Sequence, residues 1–524
     1  MLCIAVNCTS GCEIVNEIPA PAILLSVTVN FTTFAVLQSA QMLFNSIGYL
    51  FFLPLTVAAY YTLPRQWRWV LLLIASYLFY AFWNPAYVLL LMASTGVSYF
   101  AGIKMSEQRS KPSRRPYLFL ALAVNLGLLF AFKYLGFFTG TVNQLGSIFG
   151  FGQIVPYMSL LLPVGISFYT FQSLGYVIDV YRGSAKAEHH AGLFALYVSF
   201  FPQLVAGPIE RARNLLPQFR EVHEFNPALF SSGLRLILWG LFKKIVIADR
   251  LALLVQPVFG QPEYFHGIQV VIAMPLLMMQ VYADFSGYTD IAIGSARLMG
   301  FRLSPNFNRP FAAKSIAAFW NRWHITLTTW LRDYVYFSLP SKSGGRVKSW
   351  KLNLNLIITF LLVGFWHGAN WNFLAFGLLH GIYMALANIF KPELTKFNQI
   401  SGLARFPQLL SAVNITATFF LICTSGFFFG QHPFSDSLTL IRNITEWSNT
   451  SAALHTIVKN NDFLLGTALI VFMLWFEYIT MEKSFKPRFQ SLPVSLRYAA
   501  YMAMFFFMLI FGIFTRQEFF YFQF

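Results

Sequence analysis

From residue 43 onward the chain is a succession of apolar blocks separated by short polar or basic connections. The blocks fall at about 43–63, 68–84, 86–103, 117–138, 155–178, 191–206, 232–256, 267–284, 353–366, 372–390, 412–430, 463–481 and 497–514. Roughly 20 apolar residues cross a 30 Å hydrocarbon core as a helix. Several blocks are short or broken by Pro and Gly, a pattern expected of re-entrant segments whose irregular backbone is covered by protein. Barrel strands would alternate apolar and polar residues over about ten positions, and these blocks do not alternate. The pattern predicts an all-α polytopic membrane protein with about 11–13 transmembrane helices.

One region departs from this hydrophobicity. Segment 297–351 carries Arg297, Arg302, Arg309, Lys314, Arg322, Arg332, Lys342, Arg346, Lys348 and Lys351 against a single acid, Asp333. Within it, SIAAFWNRWHITLTTWLRDYVYF sets Phe319, Trp323, Leu327, Trp330 and Leu331 at spacings of three and four. That periodicity predicts an amphipathic helix lying at the interface or packed obliquely under the bundle.

Composition agrees with a membrane protein: 57% of the 524 residues are hydrophobic and 11% are charged, against about 25% charged in soluble domains. The net charge of +17 could suggest nucleic acid in a soluble protein, but here the cations obey the positive-inside rule. Lys104, Arg109, Lys111, Arg114 and Arg115 crowd one loop, whereas FFTGTVNQLGSIFGFGQ has no cation. Arg182 and Lys186, then Lys391, Lys396 and Arg405, then Lys483, Lys486, Arg488 and Arg497 mark later cytoplasmic connections. This orientation leaves the C-terminus outside. Cysteines at 3, 8, 12 and 423 have neither metal-ligand spacing nor a disulfide pattern. Residues 1–41 lack Lys and Arg and make a poor signal peptide. Because MLFNSIGYLFFLPLTVAAYY reads as a normal membrane opening at Met42, the extension is expected to reflect a misassigned start, the alternative being an extra outer segment. No repeat or linker divides 42–524, so one membrane domain is expected.

Most of the nine histidines lie in polar connections; His324, His367 and His380 do not. Any one of them could be a hydrogen-bonded packing residue. Together, on consecutive elements beside the basic segment, they point to proton chemistry, because neutral imidazole accepts and returns a proton near pH 7. Ionisable groups inside a membrane protein mark a pathway or a reaction. No GxSxG elbow accompanies them. Asp284 and Asp290, in QVYADFSGYTDIAIGSARLMGF, do not share a helix face, so the expectation is a broken helix with capped ends and internal ion pairs, Arg297 among the partners. A Gly-Pro break precedes Glu210, Arg211 and Arg213 in FPQLVAGPIERARNLLPQF and implies a covered cavity.

FFPQLVAGPIER, YADFSGYTDIAIG, FWNRWHITLTTWLRDYVY and GFWHGANWNFLAFGLLHG, between Phe200 and Gly381, together with the terminal YFQF, resemble the membrane-bound O-acyltransferase (MBOAT) family. The resemblance is to its bacterial branch for alginate and peptidoglycan O-acetylation, and it covers 42–524. It implies a ring of tilted helices around a thin centre, with funnels from both faces meeting near the histidines. It implies that His367 is the catalytic histidine and His324 the second active-site position, with His380 bracing the site. The donor implied is acetyl-CoA, a substrate rather than a bound cofactor, and no metal is implied. An extracytoplasmic O-acetyltransferase partner, a polysaccharide acceptor and the bacterial inner membrane are also implied.

A thioester is already activated, so transfer needs a deprotonated hydroxyl and a stabilised oxyanion. His367 is the candidate base, while His324 or the indole N–H of Trp320 or Trp323 is the candidate to orient the carbonyl. Arg322 and Arg332 could hold the donor's phosphates, although the same cations could form a belt for anionic lipids. Asn370 is a further candidate to bind the donor or brace the site. Tyr521, by resemblance, could carry the acyl group as a relay, its phenol needing a base. D-alanyl or other acyl transfer, a transporter and a non-catalytic assembly platform are the competing functions.

Overall fold

The computed structural model describes residues 42–343, 346–448, 450–480, 485–514 and 519–522; the 1–41 extension therefore lies outside the described residues. Among the described residues the regular structure is helical apart from one two-residue ladder pairing Lys342 with Val347. Eight described helices are long and apolar enough to cross a membrane: Pro85–Glu107, Lys111–Ile148, Ile268–Leu298, Ser349–His367, Trp371–Ile389, Pro407–Phe428, Asn461–Thr480 and Val494–Phe511. Other expected blocks fold as shorter helices, including Ile47–Thr62 and Arg68–Ala81, and block 191–206 breaks at Phe200 before the short Phe201–Leu204 helix. Block 155–178 begins irregularly and becomes helical only at Ile166. Helix Lys111–Ile148 runs on into the stretch that polarity marks as a loop.

The core is organised around Ile268–Leu298. This helix is unbroken for 31 residues, which corrects the expectation of a broken helix around Asp284 and Asp290. Its charges are met from outside: Lys243 pairs with Asp290 at 2.7 Å and Lys244 with Asp284 at 2.6 Å, while Arg297 donates to Ser232. The adjacent lysines both face inward from a π-helical stretch, Phe242–Ala248, all of whose residues are buried. A second π stretch, Phe130–Tyr134, carries Lys133. Wider π turns re-aim consecutive side chains and often occur at functional sites.

Small residues set the helix spacing. Pro227–Leu241 lies antiparallel to the central helix through Gly240 and Gly233, and a Cβ on Gly240 would come within 2.6 Å of the Gly287 carbonyl oxygen. Ser349–His367 and Trp371–Ile389 approach as closely, since a Cβ on Gly364 would overlap the Phe373 carbonyl. Membrane helices gain packing in this way where lipid supplies no hydrophobic drive for association. The second pair delivers His367 to the protein interior.

Candidate functional site

His367 ends its helix, and Gly368 leaves in an extended conformation. Asn370 then starts the next helix by accepting the Asn372 N–H at 3.1 Å. The side-chain amides of Asn370 and Asn372 both donate to the His432 carbonyl, at 3.2 and 2.7 Å. Asn370 thus fixes the turn out of the His367 helix. The imidazole is 1% exposed, among Trp366, Phe376 and Phe429 with ring centroids at 5.2, 6.0 and 5.3 Å.

Lys133 reaches the same helix end. Its ammonium donates to the Trp366 carbonyl at 2.6 Å, the His367 carbonyl at 3.2 Å and Ser167 Oγ at 3.2 Å. A cation on the free carbonyls of a helix C-terminus is favoured by the helix dipole. Lys133, Gly165, Ser167, Phe168, His367 and Phe522 border a cavity of about 30 Å³, room for about one water.

His324 meets this group through Trp366, whose ring centroid is 5.5 Å away. The predicted continuous amphipathic helix is broken here into Ile316–Trp320 and Ile325–Tyr334. Its apolar positions are nonetheless buried as expected: Phe319, Trp323, Leu327, Trp330 and Leu331 are all at most 5% exposed. At the break His324 takes the left-handed conformation, φ 42° and ψ 54°, which costs a non-glycine residue about 1–3 kcal/mol. Asn306 stabilises it. Asn306 Oδ1 accepts from Thr326 N and Oγ1 at 3.2 and 2.8 Å and lies 3.1 Å from His324 Nδ1. The Thr326 backbone donor identifies that atom as the amide oxygen, so His324 Nδ1 carries the proton and Nε2 is the basic nitrogen. Burial holds the imidazole down to about 3, in its neutral form.

His380 is different. Its Nδ1 accepts from the Trp320 indole at 3.2 Å, so its Nε2–H donates to Ser425 Oγ at 3.0 Å. Ser425 in turn donates to the Ile422 carbonyl. Both ring nitrogens are matched, and the Trp320 N–H is committed to His380. Trp323 stacks on Phe319 at 5.3 Å and meets Phe307 edge-on. Arg322 is half-buried in the broken turn, where its carbonyl accepts from Asn308 N. Arg332 is exposed and pairs with Asp333 at 2.9 Å. Glu210, from the Gly-Pro island, is buried against Ser304 and raised to about 7 by that burial, and Ile209 N donates to Thr326 Oγ1. The island thereby braces the His324 turn.

The chain end returns to this centre. Phe519 is 2% exposed and meets Tyr288 at 4.4 Å. Phe520 N–H donates to Asp284 Oδ2 at 2.7 Å, and its ring stacks on Phe429, which faces His367. Phe522 borders the His367 cavity. Tyr521 belongs to the same turn, Phe520–Phe522, but its side chain lies outside the described residues. Lys133, Asn306, Lys243 and Lys244 escape a reading of the sequence alone. The lysines had one signal, a cation (Lys133) or a pair of cations (Lys243 and Lys244) inside an apolar run; Asn306 had none. Among the described residues no group of three His, Cys, Asp or Glu is placed to hold a metal.

Fold and site define a polytopic all-α membrane protein with three buried histidines, His324, His367 and His380, at its centre. The sequence pattern of the membrane-bound O-acyltransferase family matches residues 190–431. A probable alginate O-acetylase AlgI of Pseudomonas aeruginosa is 39% identical over 385 residues, 73% of this chain and 70% of that protein. A peptidoglycan O-acetyltransferase of Helicobacter pylori is 33% identical, covering 82% and 84% of the two chains. A teichoic acid D-alanyltransferase of Bacillus subtilis is 28% identical over 53% of this chain and 71% of that protein. The chain belongs to the MBOAT family and is an acyltransferase.

Proposed function

We propose that the protein takes acetyl from cytoplasmic acetyl-CoA and passes it across the inner membrane for O-acetylation of an extracytoplasmic polysaccharide, alginate-like or peptidoglycan, with a separate extracytoplasmic partner. The observation that carries this is the cavity shared by His367, Lys133 and the returning chain end. The relatives named as alginate and peptidoglycan O-acetylating proteins support acetyl as the group transferred.

In this reading His367 accepts the proton of the attacking hydroxyl as it adds to the thioester carbonyl. The C–S bond then breaks, and the proton returns to the leaving thiolate. The positive charge of Lys133 beside the cavity favours the tetrahedral oxyanion electrostatically; its N–H groups meanwhile hold the His367 helix end. His324 Nε2, fixed in its tautomer by Asn306, is a second acceptor that orients a reacting group. Tyr521 is the proposed relay, attacking first and presenting an acyl phenol ester outside; the inward packing of Phe519, Phe520 and Phe522 supports it. The charge distribution of the connections supports a cytoplasmic donor side and an outer C-terminus.

The test is transfer of labelled acetyl from acetyl-CoA to protein and glycan by the purified protein in membranes, with His367→Ala as control. Thioester consumption by wild type and its loss in the folded variant are expected; equal consumption would overturn the reading. D-alanyl transfer is the second reading, favoured by the relative of that name, and a D-alanyl donor in the same assay separates the two.

A further inference from the structure

The last apolar helix, Val494–Phe511, barely belongs to the core: 6% of its most apolar window is buried, against 72% for the central helix. It touches the body near one end, where Phe507 meets Phe242 at 5.9 Å and Ile513 N donates to the Ile245 carbonyl at 3.0 Å. Away from that contact a cleft of about 1430 Å³ opens between it and helices Pro227–Leu241 and Asn461–Thr480. Its walls are apolar and aromatic, with Trp239, Phe472, Trp475 and Phe476 among them.

The end of the cleft away from Phe242 is cationic. Arg235, Arg297 and Arg497 all line it. Arg235 donates to Ser231 at 3.0 Å and Arg297 to Ser232 at 3.1 Å, so hydroxyls of two adjacent residues on one helix hold both guanidinium groups. Among the described residues no carboxylate lies within ion-pair distance of any of the three. Arg497 Nε is buried without a hydrogen-bond partner among the described residues. A buried guanidinium donor without an acceptor is costly, and an apolar cleft this wide inside a bilayer fills with acyl chain rather than water.

We propose that this cleft is a binding site for one anionic phospholipid, its acyl chains against Trp239, Trp475 and Phe472 and its phosphate on Arg235, Arg297 and Arg497. Charge decides the class. Acyl chains are common to all phospholipids, but a net negative headgroup is needed to balance three guanidinium groups that have no carboxylate within ion-pair distance among the described residues. Each basic residue near an anionic lipid favours it by about fivefold in partition.

The full chain in neutral phosphatidylcholine nanodiscs is titrated with brominated phosphatidylglycerol or brominated phosphatidylcholine, and the quenching due to Trp475 is taken as the difference from Trp475→Phe. Half-maximal quenching is expected at a phosphatidylglycerol fraction at least about fivefold lower than for phosphatidylcholine. Arg497→Gln should cut that preference by about fivefold, and adding Arg235→Gln and Arg297→Gln should abolish it. Arg497→Gln alone suffices if the triple variant misfolds, because Arg497 has no described partner to lose. Equal quenching by both lipids, or a preference untouched by Arg497→Gln, overturns the proposal. So does displacement of brominated phosphatidylglycerol by inorganic phosphate alone, which would mark a simple anion site. Absent quenching with efficient Ala500→Cys cross-linking between two copies would give the cleft to a second chain and overturn it too.

Discussion

His367 and His380 sit on the two arms of one helical hairpin, each 1% exposed and ringed by aromatic side chains. Burial does not distinguish them; their neighbours do. His380 is closed on both nitrogens by Trp320 and Ser425, whereas His367 borders a cavity with a lysine and the chain terminus. A buried histidine with matched donor and acceptor is part of the packing. One that borders a small cavity beside a lysine has a face that is not packed shut. On that difference rests the proposal that His367 does the chemistry and His380 braces the site.

The sharpest way to break this comparison is to truncate each ring. His367→Ala should lower acetyl transfer by about 10²–10⁴ with little change in folded yield. His380→Ala should do the reverse: it leaves the Trp320 N–H without its acceptor, at a cost of about 1–3 kcal/mol, and activity per folded molecule should persist. Thermal unfolding and initial rates on matched preparations decide it, and an active His367→Ala would undo the assignment.

Next in size is the chain end. Tyr521→Phe keeps the ring and removes only the oxygen, so an acyl relay predicts a folded, abundant protein that no longer acetylates the external polymer. Wild-type acetylation in Tyr521→Phe would leave the tail as a cavity wall and favour direct transfer to the acceptor. Phe522→Ala, which opens the cavity without touching Tyr521, should raise thioester hydrolysis relative to transfer by admitting water.

A subtler difference separates His324 from both. Its Nδ1 proton is fixed by Asn306, so Asn306→Ala frees the tautomer and should lower the rate without abolishing it. His324 also leaves a pH signature. Its folded value is held down to about 3 by burial, below the unfolded value of about 6.5. The unfolded chain therefore binds the extra proton between those values, and stability falls as pH drops below about 6.5, by up to about 1.4 kcal/mol per pH unit. His324→Gln should flatten that dependence in acid unfolding measurements; an unchanged slope would mean that the ring is solvated.

The sequence carried much of this arrangement and missed the rest for identifiable reasons. Apolar blocks located the long helices because length and hydropathy are local properties. The triad of unusual histidines was legible as residues in the wrong surroundings. The break at His324 was not, because Phe319, Trp323 and Leu327 keep a helical period across it and only a backbone angle changes. Asp284 and Asp290 were visible, but their partners Lys243 and Lys244 come from another helix and face inward together through a π stretch, which periodicity averages away. The return of Phe519–Phe522 to Asp284 is a long-range contact that no local pattern encodes.

The smallest expected effect concerns the basic segment, where two cations of equal formal charge differ in setting. Arg332 is exposed and already paired with Asp333, a surface arrangement worth about 0–1 kcal/mol. Arg322 lies half-buried in the turn that leads to His324. If the segment holds the donor's phosphates, Arg322→Glu should weaken apparent acetyl-CoA affinity more than Arg332→Glu, and both variants should become more salt-sensitive, because screening acts over about 8 Å at physiological ionic strength. Maximal rate should change little, since neither side chain lies at the cavity beside His367. The measurement is the acetyl-CoA concentration dependence at two salt concentrations. Equal, unshifted dependence in both variants would make the segment a topological belt for anionic lipid and move the donor's phosphates elsewhere.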